Sequence, residues 1–198
     1  MPVKLSSTGG GSVTLTTPAT ASDFTATFPA ATGNVVTTGS SAVVTQAMLG
    51  TNVAGNGPAF SAALTVNQTI TSSTFTKVQL NSELFDTNSN FDSTTNYRFT
   101  PTVSGYYQIG WAVSGFASTS ATRNLSTLYK SGTPYAYGND HVATAGIGTS
   151  VGSVVVFMNG STDYLELYGL ITATTAIIST SGGASIYTYM SGALVRSA

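Results

Sequence analysis

Cysteine is absent from this 198-residue chain, histidine occurs once, and only six basic and seven acidic side chains are present. Each scarcity excludes a chemistry. Without cysteine there is no disulfide framework, iron–sulfur cluster or thiol nucleophile, and a single histidine is too few for an imidazole-built zinc site. Charged residues make up 7% of the chain, against roughly 25% in ordinary globular domains. A net charge of −1 leaves no basic footprint for nucleic acid, whose binding depends on neutralised phosphates. The longest fully apolar run, Val154 to Met158, falls far short of the ~20 residues needed to cross a bilayer, so no membrane insertion is expected. Met1 to Ser7 leads into Gly9, Gly10 and Gly11 rather than into an apolar secretion-signal core.

What is abundant points to strands. Ser and Thr form about 30% of the chain, so solubility comes from hydroxyls rather than charge. The apolar fraction, 41%, suffices for a packed core. Thr, Val, Ile, Tyr and Phe dominate, helix-period patterns are nearly missing, and short runs recur between Gly, Asn and Ser clusters. This spacing predicts an all-β sandwich or barrel. In the best strand, Tyr106–Ser114, Tyr107, Ile109, Trp111 and Val113 share one face. Val151–Met158 is apolar on both faces, which predicts a place in the middle of packed layers. Asn159-Gly160 predicts a turn with Tyr164–Leu170 as the returning strand, and Ile186–Val195 a closing one.

Residues 1–57 differ. Val13, Leu15, Phe24 and Phe28 lie in small Thr-flanked clusters punctuated by Pro18 and Pro29, and Gly50–Pro58 reads as a linker. A segment this small buries too little surface to fold alone. It is expected to be an extended, β-rich arm ordered by association, with those four residues as its anchors. The division expected is therefore an attachment segment, 1–57, and a folded domain, 58–198.

From residue 58 the chain resembles the C1q/tumour-necrosis-factor-like domain. Pro58-Ala59-Phe60-Ser61-Ala62 resembles its first strand. The run from Phe91 and Asp92 through Tyr97-Arg98-Phe99-Thr100-Pro101 to Gly105-Tyr106-Tyr107 resembles its most specific block. Leu128-Tyr129-Lys130-Ser131-Gly132 is similar to its hairpin, and Tyr187–Val195 to its closing strand. The resemblance implies a ten-stranded jelly-roll sandwich that forms a homotrimer. Low charge points the same way, because few groups resist packing against copies of the chain. Phe60, Phe99, Tyr107, Ile109, Trp111, Val155, Leu167, Tyr187 and Tyr189 are the expected core and trimer-packing residues. Residues 11–33, continued by Val43-Val44-Thr45-Gln46, resemble segments of tailed-bacteriophage structural proteins. That implies a virion protein, either a fibre or spike tip or a capsid decoration or head fibre. Its expected partners are other virion proteins, through residues 1–57, and a host-surface glycan or receptor. Loops Thr87–Thr95 and Thr133–Thr149 are expected at the outer, host-facing end.

Candidate chemistry is sparse. Asp86, Asn88, Asn90 and Asp92 place oxygens at alternate positions, as a calcium loop requires. Phe91 stands where the sharp turn wants Gly, and Tyr97 where the bidentate Glu belongs. A self-capped polar loop is the expectation and calcium the alternative, with no other cofactor. Asp140-His141 is the only His–carboxylate neighbour pair, no Gly-x-Ser-x-Gly elbow exists, and Asp86/Asp92 or Asp163/Glu166 are weak acid/base pairs. No enzyme is expected. The tyrosines with Trp111 read as core and interface, with a carbohydrate-binding module of a secreted or surface protein as the alternative.

Overall fold

The computed structural model describes residues 3–6, 9, 12–15, 49–50, 53–116, 122–142, 147–180 and 185–198. The chain divides into two compact units, Met1–Ser40 and Ser41–Ala198. In the first, β1 (Val3–Ser6) pairs antiparallel with β2 (Ser12–Leu15).

The second unit holds two antiparallel sheets. One runs in the order β4 (Gln68–Ile70), β14 (Ala176–Ile178), β9 (Gly105–Phe116), β15 (Tyr189–Ser197), β3 (Ala59–Ala63) and β6 (Ser82–Asp86), with β12 (Ile147–Met158) also paired to β9 along its length. The other runs β11 (Thr133–Tyr137), β10 (Arg123–Lys130), β13 (Leu165–Thr172), β8 (Arg98–Phe99) and β7 (Phe91–Asp92), with β5 (Thr76–Lys77) also paired to β13. Five of these strands, β4, β5, β7, β8 and β14, are only two or three residues long, so the tally exceeds the ten that the resemblance implies.

Alternation explains the layers. Tyr107, Ile109, Trp111 and Val113 of β9 are all buried, as their period of two predicts. They meet Leu128, Leu165, Leu167 and Ile171 from the facing sheet in one core cluster. Phe60 of β3 stacks on Phe99 of β8 at 4.2 Å, and Tyr107 approaches the edge of Phe99 at 5.6 Å, so aromatic rings bridge the sandwich.

Two expectations are corrected here. Val151–Met158 does not lie between layers: Val156 and Met158 face the core, while Val151, Val155 and Phe157 are exposed on the outer face. Nor does Tyr164–Leu170 return beside it. The Asn159-Gly160 turn forms, with Gly160 at φ 71° and Asn159 Oδ1 accepting N–H groups of Ser161, Thr162 and Asp163 at 3.0 Å each. The chain then crosses to the second sheet, where β13 pairs with β10, β5 and β8. A capped six-residue loop, 159–164, can span the ~10 Å between packed sheets, whereas a two-residue hairpin cannot. The expected hairpin at Ser131-Gly132 is present, both residues at positive φ (50° and 80°), joining β10 to β11.

Strand direction orders the loops. The 87–95 loop lies beside the linker, because Thr87 N donates to the Ala59 carbonyl and Ala59 N to Thr87 Oγ1, each at 3.0 Å, and Pro58 O accepts from Leu194 N. The expected outer-end placement of Thr87–Thr95 is therefore wrong: it sits at the end where residue 58 enters the sheet. Thr133–Tyr137 is a strand rather than a loop.

Candidate functional site

The outer surfaces of the two sheets differ in chemistry. On the seven-stranded sheet, register sets Ala63, Tyr189, Ala112 and Val151 in one row. Phe85, Ser61, Ser191, Gly110 and Ser153 form the next, and Ala59, Ala193, Gln108 and Val155 a third. These three rows hold no acidic or basic side chain; the fourth, Phe157 and Tyr106, carries the exposed Arg196 opposite Tyr106, and Lys130 Nζ lies 5.7 Å from the Phe157 ring. Val151, Val155, Phe157, Tyr106, Val195 and Phe85 are each 40 to 51% exposed. The Tyr106 and Phe157 rings lie 5.5 Å apart and form a ridge. Between that ridge and Phe85 lies a shallow depression of about 400 Å³, floored by Gly110, Ser191 and Ala193.

On the six-stranded sheet the outward rows are aromatic and charged. Tyr129, Glu166 and Arg98 form one, and Tyr137, Thr127, Tyr168 and Lys77 the next. Tyr129 stacks on Tyr168 at 3.9 Å, and Arg98 lies 4.4 Å over the Tyr164 ring. Glu166, 5% exposed, is held by Lys77 Nζ at 2.6 Å. Burial, followed by the Glu166 charge, pushes the Tyr168 hydroxyl up to about 12. Thr127 is fully buried, and its hydroxyl has no hydrogen-bond partner among the described residues.

The expected packing residues divide by role. Phe60, Phe99, Tyr107, Ile109, Trp111 and Leu167 are core. Val155 and Tyr187 are exposed, and Tyr189 is half-buried beside Ala63 and Ala112. Val13 and Leu15 lie on β2 opposite Leu5 and Val3, whereas Phe24 and Phe28 lie outside the described residues.

The Asp86–Asp92 oxygens are occupied by their own loop. Asp86 accepts from the N–H groups of Asn88 and Phe91, at 3.2 and 2.6 Å. Asn88 Oδ1 accepts from Thr87 Oγ1, and Asn90 Oδ1 from the Thr102 N–H. Asp92 accepts N–H groups of Thr94, Thr95 and Asn96 at 3.0, 2.9 and 3.1 Å. A cation would have to displace these donors to reach the oxygens. Among the described residues no three His, Asp or Glu side chains converge as a metal cluster. His141 pairs through its backbone with Asn124, and Asp140 pairs with Arg123 at 2.9 Å. Asp163 and Glu166 are taken by separate lysines, Lys130 and Lys77.

A polar seam at the far end of the sandwich escaped the sequence reading. Trp111 Nε1 donates to Ser126 Oγ, which lies 2.8 Å from Ser150 Oγ, and Ser150 Oγ donates to the Asn139 carbonyl. Its only sequence signal is Asn and Ser at Asn124 and Ser126, both on inward positions of a strand that also carries inward Leu128.

No protein-family model and no curated protein matches the chain. Solved structures do. The globular domain of zebrafish complement 1qA superposes with a TM-score of 0.53 at 18% identity, covering 71% of this chain and 99% of that one. The Eiger TNF of S. frugiperda gives 0.52 at 9% identity, covering 71% and 92%. Murine APRIL at pH 5.0 gives 0.51 at 9% identity, covering 69% and 98%. At such identities the likeness speaks for architecture alone: the two-sheet sandwich of the second unit has the C1q/TNF-like jelly-roll fold.

Proposed function

We propose that the chain is a non-enzymatic structural protein, a homotrimeric knob closed through the outer face of the seven-stranded sheet and tethered by residues 1–57 to a larger particle. The observation that carries this reading is that largely apolar face, charged only at its Tyr106–Phe157 edge by Arg196 and Lys130. Exposing it to water forfeits roughly 25 cal/mol for every Å² of apolar surface, which a second and third copy recover. The Tyr106–Phe157 ridge and the Gly110–Ser191–Ala193 depression lie on different strands of one face. A heterologous contact, ridge into a neighbour's depression, closes as a ring about a threefold axis. Three tethered arms then attach together, so weak single contacts add to a lasting one.

The particle is a bacteriophage virion, where the chain serves as a fibre or spike tip or as a capsid decoration or head fibre. This assignment rests on the resemblance of residues 11–33 to phage structural segments. Sedimentation of the full chain tests the assembly, and labelling of virions with antibody against the knob tests the placement. A monomer at micromolar concentration, or virions without label, would overturn the corresponding half of the reading. A second reading, a carbohydrate-binding module, is favoured by the tyrosines on the opposite sheet.

A further inference from the structure

The outer face of the six-stranded sheet stands on the other side of the sandwich from the apolar rows and has a different character. Among the described residues its large exposed apolar side chains are Tyr135 and Tyr137, the latter against the half-buried Phe75 ring at 6.1 Å. Along β13 the outward column holds Glu166 and Tyr168, and Tyr164 immediately precedes the strand.

The charges on this face are unequally compensated. Glu166 is taken by Lys77 at 2.6 Å. Asp92, opposite Arg98 on β7, is taken by the three N–H groups of its own turn. Arg98 alone enters no ion pair and makes no side-chain hydrogen bond among the described residues; it rests half-buried over Tyr164. Its guanidinium therefore offers an uncommitted planar fork, suited to a carboxylate.

We propose that this face binds an acidic saccharide of the hexuronate type, with the sugar carboxylate on Arg98 and the sugar rings against Tyr164 and the Tyr129–Tyr168 pair. A pyranose ring has a C–H-rich face that packs on an aromatic ring and a rim of hydroxyls. Tyrosine hydroxyls and the Lys77–Glu166 pair meet that rim. Arg98 and Tyr129 sit two strands apart, about 10 Å, a span of roughly two sugar rings. This inference deepens the reading of the chain as a displayed knob, and it uses none of the residues assigned to self-association.

The test is calorimetric titration of the full chain with oligosaccharides of galacturonate, glucuronate and mannuronate, and with their neutral methyl esters. At least one acid form binds, its ester binds at least tenfold more weakly, and 0.5 M salt weakens the acid form. Arg98→Gln lowers that affinity at least tenfold with sedimentation unchanged, and Tyr129→Ser lowers it independently. Absence of binding by all three acids overturns the inference, as does equal binding of acid and ester or an Arg98→Gln protein that retains full affinity. The salt series on the native chain decides the matter if a variant misfolds. A monomer that binds with these dependences would sink the trimer and keep the site; a trimer that binds no uronate would do the reverse.

Discussion

Trp111 and Ser126 tie the two sheets together: the indole N–H on β9 donates to the serine hydroxyl on β10 at 2.9 Å, inside a polar seam where Asn124 of β10 also donates to the Val113 carbonyl of β9 at 3.0 Å. The ring also lies directly under Gly152, its cross-strand partner, where any Cβ would enter the six-membered ring. Trp111→Phe keeps most of the packing but removes the donor, at an expected cost of ~1–3 kcal/mol. Trp111→Ala is expected to cost ~3–5 kcal/mol. Gly152→Ala overpacks the ring and should cost ~1–3 kcal/mol. Urea unfolding followed by far-ultraviolet circular dichroism, at fixed protein concentration, measures all three. A loss below ~1 kcal/mol for Trp111→Ala would contradict the core assignment of that strand face.

Val155 is the sharpest probe of self-association. It is half-exposed, lies mid-strand on β12, and contributes nothing to the core. Val155→Glu should leave the circular dichroism spectrum intact while weakening the trimer by about a hundredfold or more, because a carboxylate would be buried unpaired at each interface. Sedimentation velocity across a dilution series reads this directly. An unchanged trimer would move the interface elsewhere.

Alternation made most of the sandwich legible. Tyr107, Ile109, Trp111 and Val113 declare one buried face, and the structure buries all four. The same rule misled at Val151–Met158, because a strand apolar on both sides looks identical whether its second face meets its own chain or is left open. Local spacing also cannot say which sheet a strand joins, so β13 was placed beside β12 when its partners lie across the core. Arg98 carried no signal at all. Its isolation follows from Lys77 reaching Glu166 first, a contact between positions 89 residues apart. The seam around Ser126 was hidden among about 60 serines and threonines that look alike in sequence.

Asp92, with Asp163, makes the fold sensitive to acid. Backbone N–H groups of Thr95 and Thr94 hold its carboxyl well below the ordinary aspartate value of 3.8, and Asn96 adds a side-chain and a backbone donor. The turn they shape delivers Tyr97 at φ 49°, an unusual backbone for an aromatic residue, and then Arg98 to β8. A depressed folded value means the stabilisation is complete above about pH 4 and is lost as pH falls further through the folded value. Unfolding midpoints should drop below pH 4 in the native chain and fall less steeply in Asp92→Ala. The variant should already be destabilised at pH 7, since three N–H groups lose their acceptor.

Tyr107 sets the alkaline limit. Its ring is fully buried, its hydroxyl donates to the Val103 carbonyl at 2.7 Å, and burial pushes its ionisation from 10.0 up to about 12. In the unfolded chain the phenol loses its proton near its ordinary value, so between pH 10 and 12 the unfolded state binds fewer protons than the folded one. Stability must then fall as pH rises through that window and level off above it. Tyr168, also pushed up to about 12, adds a second proton to the same slope. Tyr107→Phe should cost about 1 kcal/mol at pH 7 for the lost hydrogen bond and should remove one proton's share of the alkaline decline. Thermal melts of the native chain, Tyr107→Phe and Tyr168→Phe at half-unit steps from pH 8 to pH 12 separate the two contributions. An undiminished decline in Tyr107→Phe would mean that its phenol ionises without cost in the folded knob, and that the close contact between β9 and the 103–104 turn opens well before the core does.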